Sequence, residues 1–324
     1  MVRSRWPGAS TWTALGVAFV IAVTLGSMLW LLQSSLRTVE SRDRSTQMKL
    51  VSAALTTAFD QAGRFALAIA ETTARRDAVA AALAARDRVS LQRLSQAAFD
   101  YLRLQSGVQI YGYHDKDLRY LLRMHRPETF DDDISAFRSM VVAANRSARA
   151  QTGIEIGIAG IGVRGIAVVN QGQDMVGTME VGLDLKPILE LVKATNNADI
   201  AVIIVPSMSG VALDDKMPRF GDLALAMSTD DSLFASLLSG GRVRPTRDVD
   251  VAEQRIDGRA YDMVTQPLVD FSGRLIGMTI ALKDNPHLDA RRIGKELWVM
   301  ALCGAILSFV AFAVLFRAAT SRGR

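Results

Sequence analysis

The sequence predicts an α+β protein. Two tandem modules, each built on an antiparallel sheet, follow a long N-terminal helix and lie between two transmembrane helices. Three observations carry that expectation. Two uncharged apolar stretches stand near the ends of the chain. A proline-free segment with a helical apolar stripe follows the first. Two pairs of strand-like segments then recur at an offset of 100 residues.

Thr11–Leu32 (TWTALGVAFVIAVTLGSMLWLL) has 22 residues without a charge, and Leu297–Phe316 (LWVMALCGAILSFVAFAVLF) has 20. About 20 apolar helical residues cross a bilayer core, so each is long enough to span. All four tryptophans, Trp6, Trp12, Trp30 and Trp298, lie in or beside these stretches. Amphipathic rings suit the headgroup layer. The first stretch is longer than the usual ~7–15-residue core of a signal peptide, and LQSSL after it is a poor cleavage site, so it reads as an uncleaved anchor. Arginines in the tails, residues 1–10 and 317–324, favour both ends in the cytoplasm. Residues 33–296 then lie outside the inner (cytoplasmic) membrane, in the periplasm of a cell with two membranes.

The chain carries 38 Lys+Arg against 33 Asp+Glu, a formal net charge of +5. Residues 1–32 and 297–324 hold no acid and five arginines (Arg3, Arg5, Arg317, Arg322 and Arg324), which leaves residues 33–296 formally neutral. A basic face is not implied, and nucleic acid is excluded as a partner. The single cysteine, Cys303, falls in the second apolar stretch. The exterior region therefore has no disulfide, thiol nucleophile or cysteine metal ligand.

From Met48 the residues Val51, Leu55, Ala58, Ala62, Phe65, Ile69, Thr72, Arg76, Val79 and Leu83 follow at alternating steps of three and four. They form one stripe on a helix. Such a stripe lies on its own domain or pairs with its twin in a homodimer. Within the first span Ala14, Ala18, Ala22 and Gly26 form a small-residue ridge that lets membrane helices approach closely. Residues 33–106 are assigned to this helix and a helical lead-in.

The texture changes at Gly107. GVQIYGYHDKD reads as a strand and a turn. Asp131–Ala150 reads as a helix with Ile134, Phe137, Met140, Val141 and Ala144 on one face, and its leading aspartates suit the helix dipole. GIAVV and MVGTMEVGLDL read as strands joined by NQGQ. The pattern then recurs: a strand at ADIAVIIVPS, helical segments around Phe220–Ala226 and Ser232–Leu238, and a hairpin of RAYDMVTQPLV with RLIGMTIALKD. The closing strands align, Gly177 on Gly277 and Asp184 on Asp284. This gives a membrane-distal module over 107–190 and a membrane-proximal module over 198–284. A connecting helix, 285–296, leads into the second span, 297–316.

Enzyme chemistry is not expected. Gly160, Gly162 and Gly165 match GxGxxG, but strand residues follow them where a dinucleotide site needs a helix. The three histidines, His114, His125 and His287, have no zinc spacing, and no Gly-x-Ser-x-Gly elbow is present. Asp131–Asp133 cannot all reach one ion from adjacent positions, so helix capping is preferred to metal binding. No cofactor is implied.

LRMHRPETFDDDISAFRSMVVAAN (122–145) and TGIEIGIAGIGVRGIAVV (152–169), within the two-module layout, resemble the double Cache extracellular sensors. The subgroup is the double sensory domain of two-component sensor kinases. It tends to carry Arg-x-His-x-Pro, a Phe-Gly-Asp-Asp helix start and Gly-x-Glu-x-Gly…Arg-Gly. Asp131 stands in place of the glycine of the second motif. The resemblance covers about residues 33–290. It implies PAS-like modules with a ligand between the sheet and the elements covering it.

On that implied fold, Arg123, His125 and Arg164 become candidate ligand groups, because a guanidinium fork matches a carboxylate. Tyr111 and Tyr113, two apart on a strand, share a face and become a candidate aromatic wall. Glu155 or Asp133 is placed to receive an amine. For any one of these arginines a surface charge or structural ion pair is the plainer reading; the cluster favours a pocket. An organic acid is the first ligand expected and an amine-bearing acid the second. Only eight residues, Arg317–Arg324, follow the second span, so the output is expected in a partner such as a histidine kinase or chemoreceptor, unless the chain is truncated. The rival reading is an envelope scaffold that binds another protein and no small molecule.

Overall fold

The computed structural model describes residues 9–157, 160–209 and 217–286. Met48–Asp284 forms one compact unit, and the described residues on either side of it belong to another. The latter is described over Ala9–Gln47, which is helical, and at residues 285–286. Most side chains of Thr11–Leu32, and all of Leu297–Phe316, lie outside the described residues. Among the described residues no helix is long and apolar enough to cross a membrane.

Helix α1 (Ala9–Ala74) buries Met48, Val51, Leu55, Phe59, Ala66, Ala70 and Ala74 in the larger unit. The buried stripe advances by about 3.6 residues per turn, so it leaves the heptad positions after Leu55. Phe65, on the expected stripe, is 44% exposed. A straight helix drifts ~20° per heptad against a 3.5-residue repeat, and the buried stripe follows that drift. After the break at Arg75–Arg76 come α2 (Asp77–Ala84) and α3 (Arg88–Ser106). Asp87 caps α3 by accepting from the Ser90 amide at 3.0 Å, and Gly107 ends it with φ +67°.

The first sheet contains β1 (Val108–Asp115), β2 (Tyr120–Arg123), β3 (Gln151–Gly157), β4 (Gly160–Gln171) and β5 (Asp174–Leu183), in the order β2-β1-β5-β4-β3. Helix α4 (Ser139–Ser147) lies between β2 and β3 in the chain, and α5 (Lys186–Asn196) follows β5. The second sheet contains β6 (Asp199–Ile204), β7 (Arg219–Phe220), β8 (Leu223–Ser228), β9 (Asp250–Ile256), β10 (Arg259–Val269) and β11 (Leu275–Asp284), ordered β7-β8-β6-β11-β10-β9. Short α6 (Pro206–Ser209) follows β6, and α7 (Asp231–Ser239) precedes β9.

Apart from edge strand β7 the two sheets have one topology. β8, β6, β11, β10 and β9 repeat β2, β1, β5, β4 and β3, with α7 between β8 and β9 in the chain as α4 is between β2 and β3. The glycine pair aligned in the sequence has a physical basis. A Cβ at Gly177 would strike the His114 carbonyl, and one at Gly277 would strike the Ile203 carbonyl. His114 and Ile203 are equivalent residues of β1 and β6, by their pairing with Thr178 and Met278.

The apolar clusters place helices on both faces of each sheet. The first sheet packs α1, α2 and α3 on one face and α4 on the other. The second packs α7 on one face; its other face joins α5, the Met48–Phe59 part of α1, and Ile154, Ile156 and Val163 of the first sheet in a shared core. Where α1 crosses β4, a Cβ at Gly165 would run into the main chain of Ala66 and Leu67.

Two expected helices differ. Asp131–Arg138 is an irregular segment, and α4 begins only at Ser139. Its aspartates are drawn to side chains and turns outside the helix. Phe220–Ala226 is not helical: β7 and β8 occupy it, because the edge of β6 needs a hydrogen-bonding partner and pairing overrides the helix preference of Leu and Ala. Gly177→Ala and Gly277→Ala are each expected to destabilise the chain by about 1–3 kcal/mol through overpacking. Urea denaturation of the two variants reads this, and a cost at only one of them would break the equivalence of the modules.

Candidate functional site

Strand alternation sorts β1 into two faces. Tyr111 and Tyr113 point to the helices α1 and α3, where their hydroxyls meet Thr73 Oγ1 at 2.9 Å and Ser95 Oγ at 2.7 Å. Both are fully buried in the helix-side core, so the expected aromatic wall of a ligand site is corrected. The opposite face carries Gly112 and His114. The absence of a Cβ at Gly112 lets the Tyr120 ring lie on the strand, and that ring stands edge-on to His114 with centroids 4.2 Å apart.

On this face lies a buried ionic cluster. Glu180 of β5 takes Arg164 Nη1 at 2.7 Å, Arg138 Nη1 at 3.1 Å and, more closely still, Arg138 Nη2. The Tyr120 hydroxyl donates to it at 3.2 Å, and His114 Nε2 lies 3.3 Å away. Glu155 of β3 accepts from Arg138 Nε at 3.1 Å and from the Met140 amide at 2.8 Å. Two carboxylates thus meet two guanidiniums, all buried. Burial works against ionising Glu180, but Arg138 and Arg164 outweigh it and hold the carboxyl well below its usual range. Burial lowers the pKa of His114, which leaves it neutral.

The second module has no such cluster at the equivalent places. Strand register sets His114, Arg164 and Glu180 against Ile203, Met263 and Ile280. Those three residues pack in the apolar core under α7 with Phe234 and Leu237.

In front of the cluster is a cavity of about 190 Å³, lined in part by Tyr120, Arg123, His125, Arg126, Arg138 and Arg164. The structure thus brings together Arg123, His125 and Arg164. Arg123 is gripped by Asp132 through two bonds of 2.6 and 2.7 Å, donates to the Thr129 carbonyl at 3.0 Å and lies 3.7 Å over the Tyr120 ring. His125 Nδ1 is buried without a hydrogen-bond partner, and burial lowers its pKa to about 4. Arg164 Nε is likewise unsatisfied, with Glu155 Oε2 3.6 Å away. A Cβ at Gly157 would sit 3.0 Å from Arg164 Nη2, so a glycine there gives the guanidinium room.

Two expected ligand groups are corrected. Asp133 is exposed and accepts from the Ser135 amide at 2.9 Å, a turn contact away from the cavity. Glu155 is saturated by Arg138 and the Met140 amide behind the cavity, which leaves it unsuited to an incoming amine. The three adjacent aspartates go separate ways: Asp131 to Arg86 at 2.7 Å, Asp132 to Arg123, and Asp133 to its own turn. Asp131 has φ +64°. It takes up the left-handed conformation that suits a glycine and that aspartate tolerates.

Sequence reasoning missed Arg138, Glu180, His114 and Tyr120. Glu180 left a readable signal as the one charge within the apolar strand MVGTMEVGL. Arg138 left little, because its role depends on the irregular segment that carries it across the sheet.

Residues 44–284 match the family described as "double sensory domain of two-component sensor kinase". The chain belongs to this double Cache family. Solved structures similar to this double sensory domain include the periplasmic domain of Vibrio cholerae LuxQ, at 16% identity and a TM-score of 0.44 over 74% of this chain and all of that one. The V. cholerae histidine kinase DctB sensor domain is 12% identical with a TM-score of 0.45, covering 75% and 96% of the two chains. The sensory domain of the Campylobacter jejuni chemoreceptor Tlp3, with isoleucine bound, is 10% identical with a TM-score of 0.48, covering 78% and 96%. No curated protein matches the chain.

The geometry of this double Cache domain makes two stability predictions. Glu180→Gln leaves two buried guanidiniums facing one carboxylate and is expected to cost about 3–5 kcal/mol in urea denaturation. The second concerns pH. Unfolded histidine takes up a proton near 6.5, whereas folded His125 does so only near 4, and His114 is shifted the same way. The unfolded state therefore binds more protons in that interval, and stability falls as pH drops through it. Glu180, ordinarily near 4.5, adds stability above that value that is lost as pH falls through its lowered one. Melting temperature should decline below about pH 6.5, and His125→Gln should flatten part of the decline; a melting temperature that rises on acidification contradicts the assignment.

Proposed function

We propose that this double sensory domain binds a small organic anion in its membrane-distal module and reports it across the inner membrane. The observation that carries the reading is the arginine- and histidine-lined cavity over the Glu180 cluster, with Arg164 Nε and His125 Nδ1 unsatisfied beside it. Buried polar groups without partners are costly, and a ligand oxygen that accepts from them relieves the cost. Arg126 adds a charge: it lines the cavity and has no ion-pair partner among the described residues. The matching positions of the membrane-proximal module are filled by apolar side chains, which supports the distal module as the ligand-binding one.

The two apolar stretches of the sequence support membrane anchoring, with residues 33–296 extracytoplasmic. On this reading the protein is a receptor and not an enzyme. It acts as a homodimer and passes its signal along the second membrane span to the output domain of a kinase or chemoreceptor. Binding shifts such an equilibrium only by the ligand's differential affinity for the two states.

A thermal-shift screen of short carboxylic acids and amino acids tests the proposal. A true ligand at 100 times its Kd should stabilise the chain by about 2.7 kcal/mol. Arg164→Lys keeps a charge for Glu180 but loses the planar fork, and should weaken binding about 10- to 100-fold. A broad screen without stabilisation would count against sensing and favour the scaffold.

A further inference from the structure

The distal cavity does not end at its own module. Ile110, His125, Arg126 and Arg164 also line a second space of about 570 Å³ at the seam between the two modules. The inner cavity, about 190 Å³, is smaller than ordinary small-molecule sites of about 300–1,000 Å³. The seam space, which shares those four residues with it, falls within that range.

The seam is chemically lopsided. Its charged groups, Arg103, Arg126, Arg164 and the single carboxylate Asp184, all belong to the distal side, and Arg103 and Arg126 have no ion-pair partner among the described residues. The proximal module contributes Met217, Ala226 and Met227, all apolar and half-buried. Ile161 and Leu183 continue the apolar lining on the distal side. The seam is also fixed in place: Lys186 Nζ donates to the Ser228 carbonyl at 2.7 Å, which ties the end of β8 to the start of α5. Methionine side chains are flexible enough to pack against apolar groups of varied shape.

We infer that the ligand is an amphipathic monoanion, with its carboxylate or similar oxyanion at Arg164 and its apolar tail in the seam against Met217, Ala226 and Met227. This deepens the distal-site proposal and rests on it. The tail then touches the proximal module directly, so occupancy depends on how the two modules meet.

The test is equilibrium dialysis of radiolabelled straight-chain monocarboxylates, from propionate to octanoate, against the full chain in lipid nanodiscs, with empty nanodiscs subtracted. Kd is expected to fall about fourfold for each methylene buried, the factor equivalent to ~0.8 kcal/mol. Ala226→Trp, which fills the seam, and Met227→Ser, which removes an apolar contact, should each flatten the series while leaving propionate binding unchanged. Retained propionate binding shows that the variants are folded. Dicarboxylates of the same length should bind more weakly than the monocarboxylates. The inference is overturned if short acids bind with no gain from length, if the gain survives both substitutions, or if dicarboxylates bind better. Failure of every acid to bind overturns the distal-site reading along with it.

Discussion

The first module is organised around one carboxylate, Glu180, held between two buried guanidiniums. Burying even one unpaired charge costs more than most domains can spare, so the four charges of Glu155, Glu180, Arg138 and Arg164 have to be present together. That requirement reaches outward. Glu155, Arg164 and Glu180 stand on three neighbouring strands with their side chains on one face. Gly112 leaves room for Tyr120 to close the cluster from the side. The segment before α4 gives up helical structure so that Arg138 can reach across the sheet. The result is a face that is charged and polar, where the matching face of the other module is oily.

The contrast between the modules shows how a repeated fold carries two different interiors. The backbone plan is the same, down to a glycine in each closing strand that lets a neighbouring carbonyl come close. Only the side chains on one face differ: His114, Arg164 and Glu180 against Ile203, Met263 and Ile280. Three apolar residues give a packed support. Their polar counterparts give a charged surface on which Arg164 Nε and His114 Nε2 are left without a hydrogen-bond partner.

Much of the fold was legible in the sequence because strand periodicity and the repeat of Gly177 and Gly277 are local and regular. The stripe on α1 was visible too, though its buried face drifts from Leu55 onward because the partner is a sheet. Arg123, His125 and Arg164 could be picked out as a group by their motifs. Tyr111 and Tyr113 were assigned to the ligand side because spacing shows that two residues share a face but not which layer covers it. Asp133 and Glu155 illustrate a second limit. A carboxylate's role depends on which donors arrive first, and for Glu155 those are Arg138 and an amide of α4. Arg138 itself was hidden, since the helix expected over Asp131–Ala150 would have pointed it elsewhere.

Arg164 and Gly165 are consecutive residues of β4 with opposite outlooks. One reaches into the cluster; the other presents bare main chain to α1, whose own backbone at Ala66 and Leu67 rests against it. Side chains normally cushion the contact between a sheet and a helix, and small movements are lost in their rotamers. No such padding exists at this point. Strand and helix therefore meet main chain to main chain one residue away from the arginine that anchors the cluster.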